Sequence, residues 1–247
     1  MTTLRIEDVH EGVRLLTIDR PDKRNALNHA TYLAMVESLG EADVDPGVRV
    51  LIITGAQGNF TSGNDIADFR RTPRPEPRGG QLLFAALRAT RTPVIAAVEG
   101  YAVGIGATML LHCDLAYAGA DSRFRFPFTA LGLTPEGGSS YLLPRLGGDK
   151  KAAELLLLGE MFDAQPALEV GLINRVVASG DALAEATARA CTLARLPAAS
   201  VRATKELLRG HRDQGVQAAL AAENAEFAER LASREAQEAF ARFAAVS

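Results

Sequence analysis

Residues 48–54 read Val-Arg-Val-Leu-Ile-Ile-Thr between Gly47 and Gly55, a branched-apolar run with a single interruption. That pattern predicts a strand buried on both faces. Residues 94–98 repeat it, and residues 13–19 alternate as a strand does. Residues 114–118 and 123–126 are predicted as further strands. Between them the apolar spacing turns helical. Asn28 is placed to cap a helix running to about Gly40. Further helices are predicted over 66–69, 81–90, 107–112, 137–143 and 150–158. Strand, glycine turn and helix recur without a sequence repeat, which implies an α/β body.

From about Asp181 the chain becomes alanine-rich, with charges at helical intervals. Pro197 is expected to break one helix and Gly210 to end another, with Asp213 opening a long last one. Val216, Leu220, Phe227 and Leu231 share a face of that helix, which must be buried on the body or on a partner. The expected division is a core over 1–195 and a helical region over 196–247. Residues 70–80 hold three prolines and the arginines Arg70, Arg71, Arg74 and Arg78, the composition of a mobile, solvated loop.

Composition narrows the function classes. The 247 residues are 47% apolar and 23% charged, enough for a full-sized core. A net charge of −3 gives no global reason to expect nucleic acid or an anionic membrane as partner. Cys113 and Cys191 match no metal spacing, nor do His10, His29, His112 and His211. No metal is expected, and a reducing, cytoplasmic setting is. Residues 93–111 are apolar but contain Glu99, Gly100, Gly104 and Gly106. They are expected to form a strand, a turn and a buried helix rather than a membrane span. The first nineteen residues carry charges throughout and show no secretory pattern.

Three turns carry the candidate chemistry. The first, Asn59-Phe60-Thr61-Ser62-Gly63-Asn64-Asp65-Ile66, follows a buried strand and contains a glycine that can turn backbone amides toward a ligand. An ordinary strand-to-helix loop capped by Asp65 has the same pattern. In the second, Gly100, Gly104 and Gly106 lack the spacing of a dinucleotide fingerprint, leaving a helix start whose free amides can meet a negative oxygen. The third is Leu131-Gly132-Leu133-Thr134-Pro135-Glu136-Gly137-Gly138-Ser139-Ser140. Glu136 there is either an acid complementing a helix dipole, worth about 0.3–1 kcal/mol, or a base. The two glycines after it weaken a helix while letting a ligand approach.

These turns, taken in order with Arg20-Pro21-Asp22-Lys23-Arg24-Asn25-Ala26-Leu27-Asn28 and Gly171-Leu172-Ile173-Asn174-Arg175-Val176-Val177, resemble the enoyl-CoA hydratase/isomerase (crotonase) family over nearly the whole chain. The resemblance implies a spiral of ββα units with a C-terminal helical trimerisation region. It further implies an acyl-coenzyme A thioester as substrate, no separate cofactor, and a homotrimer or dimer of trimers. The family's oxyanion hole falls on the backbone amides of Asn64 and Ile105. Two fixed N–H donors would stabilise an enolate oxygen.

Thr108 and Phe128 occupy the positions of the two glutamates that family hydratases carry. Hydration needs carboxylates to activate water and deliver a proton, and neither residue does that work. Glu136 lies where the family's Δ3,Δ2-enoyl-CoA isomerases place their single acid, and the surrounding strings most resemble the peroxisomal type. Thr108 and Phe128 then become walls of the acyl pocket, with Phe128 among the apolar groups expected to raise the acid's pKa. For coenzyme A the resemblance points to Lys23, Arg24, Ala26, Leu27, Ser62, Gly63, Asp65 and Ile66. Lys23 and Arg24 would face the phosphates, and Phe240 and Arg242 would reach toward a neighbour's nucleotide. An isomerase using Glu136 as proton shuttle is the leading expectation. Hydratase or thioester hydrolase activity, a non-catalytic acyl-CoA-binding protein and, more distantly, a nucleotide-binding dehydrogenase are the alternatives.

Overall fold

The computed structural model describes residues 3–69 and 77–244. The loop arginines Arg70, Arg71 and Arg74 lie outside them. Strands β1 (Leu4–His10), β2 (Val13–Ile18), β3 (Val50–Gly55), β4 (Val94–Val98), β6 (Leu115–Gly119) and β9 (Arg175–Val177) form one sheet, in that order across it. The β1–β2 pair is antiparallel and every other neighbour is parallel. A second sheet of β5 (Tyr101–Val103), β7 (Arg123–Arg125) and β8 (Phe162–Asp163) stands beside it.

The 48–54 run is buried on both faces, as its pattern predicts. Leu51 and Ile53 join the larger core with Leu16, Ile18, Ala96 and Val98. Val50 and Ile52 face Ala182, Ala186, Ala190 and Ala194 of helix α7 (Ala182–Ala194). Alanine every four residues lets that helix lie close against the parallel strands. Strand β1 escapes the sequence pattern because it is an edge strand: after Leu4 its residues are exposed.

On the other side lie α1 (His29–Val44), capped by Asn28 Oδ1 accepting from Thr31 N, the short α2 (Ile66–Phe69) and α3 (Gly79–Ala89). Helix α4 (Ile105–Thr108) continues as a 3-10 segment through His112. Helix α5 (Ser139–Ala153), kinked at Gly148, replaces the expected 137–143 helix and runs into a π turn over Glu154–Leu158. The short α6 (Ala164–Glu169) follows β8.

The C-terminal helices correct one expectation. Helix α8 (Ala198–Ala232) is continuous through Gly210, and a break at Ser233 separates α9 (Arg234–Ala244). Glycine costs a helix interior about 1 kcal/mol, and side chains on both sides of Gly210 offset it by tying α8 to the body. Lys205 Nζ donates to Asp114 Oδ2 at 2.7 Å and to the Thr92 carbonyl, Arg209 reaches Asp114 Oδ1 at 3.1 Å, and Arg88 pairs with Asp213. Val216, Phe227, Leu231 and Phe240 are buried in the main core, so the stripe they belong to is covered by the chain itself, while Leu207 and Leu208 earlier on α8 are exposed.

Candidate active site

Three peptide turns meet beside α1. Leu27 N donates to Gly63 O and Asp65 N to Leu27 O, a parallel bridge that directs the Asn64 N–H away from Leu27. Thr61 bridges Ala102 in the same way. Gly63 has φ +96°, and a Cβ there would sit 2.7 Å from the Val103 carbonyl, so the turn bearing Asn64 abuts the turn bearing Ile105. Ile105 is the first residue of α4, where helical geometry leaves the N–H without an intrahelical acceptor.

Glu136 is not in a helix. It precedes Gly137 (φ +70°) and Gly138 (φ +72°), and α5 begins only at Ser139. A Cβ on Gly137 would approach the Phe84 ring to 2.5 Å, so the turn can pass this close only as glycine. The Glu136 carbonyl accepts from Ser139 Oγ at 2.7 Å, and His112 Nε2 donates to the Gly137 carbonyl at 2.6 Å. Burial lowers the His112 pKa to about 4, so its ring acts as a neutral donor. The role of complementing the α5 dipole belongs to Glu223 of α8. Glu223 Oε2 accepts from Gly138 N at 2.6 Å, and Oε1 accepts from Ser140 N at 2.9 Å and Ser140 Oγ at 2.6 Å.

The Glu136 side chain therefore has no capping work. Its Oε1 is buried and accepts no hydrogen bond among the described residues. Burial pushes its pKa up to about 8, the Arg78 guanidinium opposes that rise, and the Glu223 carboxylate adds to it. The acid lines a cavity of about 70 Å³ with Leu27, Tyr32, Asn64, Arg78 and Phe227. The Ile105 side chain is adjacent: a Cβ on Gly80 would lie 2.9 Å from Ile105 Cδ1 and 3.8 Å from Glu136 Oε2. Among the described residues no group of three His, Cys, Asp or Glu could hold a metal ion.

Several expected site residues lie elsewhere. Thr108 is fully buried with its hydroxyl turned back to Gly104 O at 3.3 Å. Phe128 packs in the core with its ring centroid 6.5 Å from that of Phe126. Neither lines the cavity, whose apolar walls are Leu27, Phe84 and Phe227. Phe240 is buried in the core, while Arg242 is exposed.

The coenzyme A candidates do come together. Lys23 and Arg24 are exposed on the turn after β2. The Arg24 carbonyl accepts from Ser62 N at 3.0 Å, joining that turn to the Ser62–Ile66 segment. Ala26 and Leu27 are buried behind the turn, Leu27 reaching the cavity. Asp65 is engaged by Arg20 at 2.9 Å, and Ile66 opens α2.

Other cavity residues escaped the sequence reading. Tyr32 donates its hydroxyl to Asn64 Oδ1 at 2.5 Å, and Asp68, a second carboxylate on the cavity wall, accepts from His29 N at 2.8 Å. Burial first, then the charges of Glu136 and Asp68, hold the Tyr32 pKa well above its ordinary range. Glu223 had a legible signal: it interrupts the apolar stripe of Val216, Leu220, Phe227 and Leu231, where a buried acid needs a partner.

A family model for enoyl-CoA hydratase/isomerase matches residues 8–245. This chain belongs to that family. The structure of Pseudomonas aeruginosa OdaA superposes with a TM-score of 0.94 at 42% identity, covering 98% of this chain and 99% of that one. The α/β body with its long C-terminal helices is therefore the crotonase fold. The 2,3-dehydroadipyl-CoA hydratase of Escherichia coli is 35% identical over 94% of this chain and 92% of its own. Enoyl-CoA delta isomerase 2 of Rattus norvegicus is also 35% identical, over 80% of this chain and 52% of its own. Hydratase and isomerase names thus both occur among the relatives, the hydratase matched over nearly its whole length and the isomerase over about half of its own. Among the described residues no helix is long and apolar enough to cross a membrane.

Proposed function

We propose that the protein is a Δ3,Δ2-enoyl-CoA isomerase with Glu136 as its proton shuttle. The observation that carries this reading is the Glu136 carboxyl itself: the residue is half-buried on a cavity wall, its Oε1 is enclosed and accepts no hydrogen bond among the described residues, and its pKa is raised to about 8. A base near neutrality can both take and return a proton. Ionised Glu136 removes a C2 proton from a 3-enoyl-CoA, and the electron pair delocalises onto the thioester oxygen as a dienolate. The amides of Asn64 and Ile105 hold that oxygen. The same carboxyl then protonates C4, leaving a C2=C3 double bond, and no water is consumed.

Lys23 and Arg24 would meet the coenzyme A phosphates. Ala26, Leu27, Ser62, Gly63, Asp65 and Ile66 would form the passage from that turn to the acid. The assembly is read as a homotrimer or a dimer of trimers. The test is turnover of a 3-enoyl-CoA by wild type and Glu136→Gln. Loss of roughly 10²–10⁴-fold in kcat is expected for a removed acid–base group, and undiminished turnover overturns the assignment.

Asp68 favours a second reading. A second carboxylate on the cavity wall is what hydration of a 2-enoyl-CoA requires, and one of the relatives described above carries a hydratase name. Against it, Asp68 Oδ2 already accepts from the His29 amide. Sustained addition of water to crotonyl-CoA, abolished by Asp68→Asn, would establish this alternative.

A further inference from the structure

The C-terminal helical region enters the site directly. Asn224 and Phe227 line the cavity, and Glu223, one position before Asn224, grips the turn that follows Glu136. Glu223 is 7% exposed, and its two oxygens accept three hydrogen bonds, from Gly138 N, Ser140 N and Ser140 Oγ. A cap alone would be satisfied by a neutral side chain such as Ser, Thr or Asn. Here a carboxylate is buried instead, beside a second acid with an unpartnered oxygen. Burying two carboxylates near one another is unfavourable, and acids held at such a cost cluster at functional sites.

We propose that Glu223 is a positioning residue for Glu136: it fixes the Gly137–Ser140 turn through its hydrogen bonds and sets a negative charge beside the acid, so that helix α8 completes the site. The inference rests on Glu136 as the reacting acid, not on which acyl-CoA reaction follows. Among the described residues, the other ionisable groups around Glu136 are Arg78 ahead of α3, Tyr32 and His29 on α1, Asp68 on α2 and His112 behind Gly137. Of these, Arg78 favours the ionised acid and opposes Glu223. Glu136 is thus under opposing influences, from a cation held at the start of α3 and an anion held on α8. Removing the anion leaves burial opposed by the cation alone, and the acid becomes a weaker base than in wild type.

The test is an infrared difference titration of the Glu136 carboxyl in the full-length protein, its band identified by its loss in Glu136→Gln. In Glu223→Gln the titration midpoint is expected to fall by roughly half a unit to one unit. An unchanged midpoint in a folded variant overturns the proposal. Glu223→Asp keeps the charge but shortens the reach to the turn. It is expected to hold the midpoint near that of wild type while lowering kcat several-fold with KM little changed. A midpoint that falls with Asp as far as with Gln, or kcat equal to wild type with Asp, also overturns it. Because the titration needs no substrate, the charge effect on Glu136 is read independently of isomerase turnover.

Discussion

The Tyr32 hydroxyl donates a 2.5 Å hydrogen bond to the Asn64 carboxamide oxygen, tying α1 to the turn whose amide is assigned to the oxyanion hole. The Tyr32 ring also lies directly under Gly79, where a Cβ would collide with it, so one side chain supports both the amide-bearing turn and the start of α3. Tyr32→Phe keeps the ring and removes the bond. A loss of about three- to ten-fold in kcat/KM is expected, the size of one hydrogen bond, with a melting temperature within a few degrees of wild type. Steady-state kinetics with a 3-enoyl-CoA and a thermal melt check both.

The pH dependence follows from the raised Glu136 pKa. The base must be ionised to take a C2 proton, so kcat/KM is expected to rise with pH and level off above about 8. The stability sign is opposite. A carboxyl whose folded pKa lies above its unfolded value binds more protons in the folded state. Its contribution therefore falls as pH rises from about 4.5 through about 8. The melting temperature of Glu136→Gln is expected to gain on wild type across that window. A gap that stays constant from pH 5 to pH 8.5 would refute the shift.

Gly137 tests the geometry of the acid-bearing turn. Alanine there must adopt φ near +70° and push a Cβ into Phe84. A destabilisation of about 1–3 kcal/mol is expected from strain and overpacking together, measured by denaturant unfolding. Gly210→Ala makes the contrasting case. Nothing lies within 4 Å of its Cβ position, and the residue is inside α8. Stabilisation of up to about 1 kcal/mol is expected.

The self-association reading comes from the family resemblance, and it would give cover to exposed apolar side chains, Leu157 and Leu158 on one segment and Leu207 and Leu208 on α8. Sedimentation equilibrium is expected to return a trimer of the 26.3 kDa chain or twice that mass. A concentration-independent monomer would contradict it.

Legibility in the sequence followed burial symmetry. The buried parallel strands were readable because apolar runs such as Leu51–Ile52–Ile53 need no partner to be recognised. Strand β1 and the short β5, β8 and β9 were not, since three residues such as Tyr101–Val103 carry no period. Glu136 was legible through the glycines beside it. Its freedom from capping was not, because that depends on Glu223, eighty-seven positions later, reaching the α5 amides. Thr108 and Phe128 were read as pocket walls by motif position alone. Their side-chain directions, toward Gly104 O and toward Phe126, are set by local packing that no motif encodes. Gly210 looked like a helix end because propensity is local, while the Lys205, Arg209 and Asp213 anchors that override it are tertiary.

The central claim, a proton shuttle on one carboxyl without added water, is tested most directly by NMR product analysis of a 3-enoyl-CoA incubated with wild-type protein in D₂O. Conversion to the 2-enoyl-CoA at enzymatic turnover is expected, with the C4 hydrogen derived partly from the substrate's C2 and no 3-hydroxyacyl-CoA formed. Accumulation of 3-hydroxyacyl-CoA as the main product, or no double-bond movement with the protein folded, would contradict it.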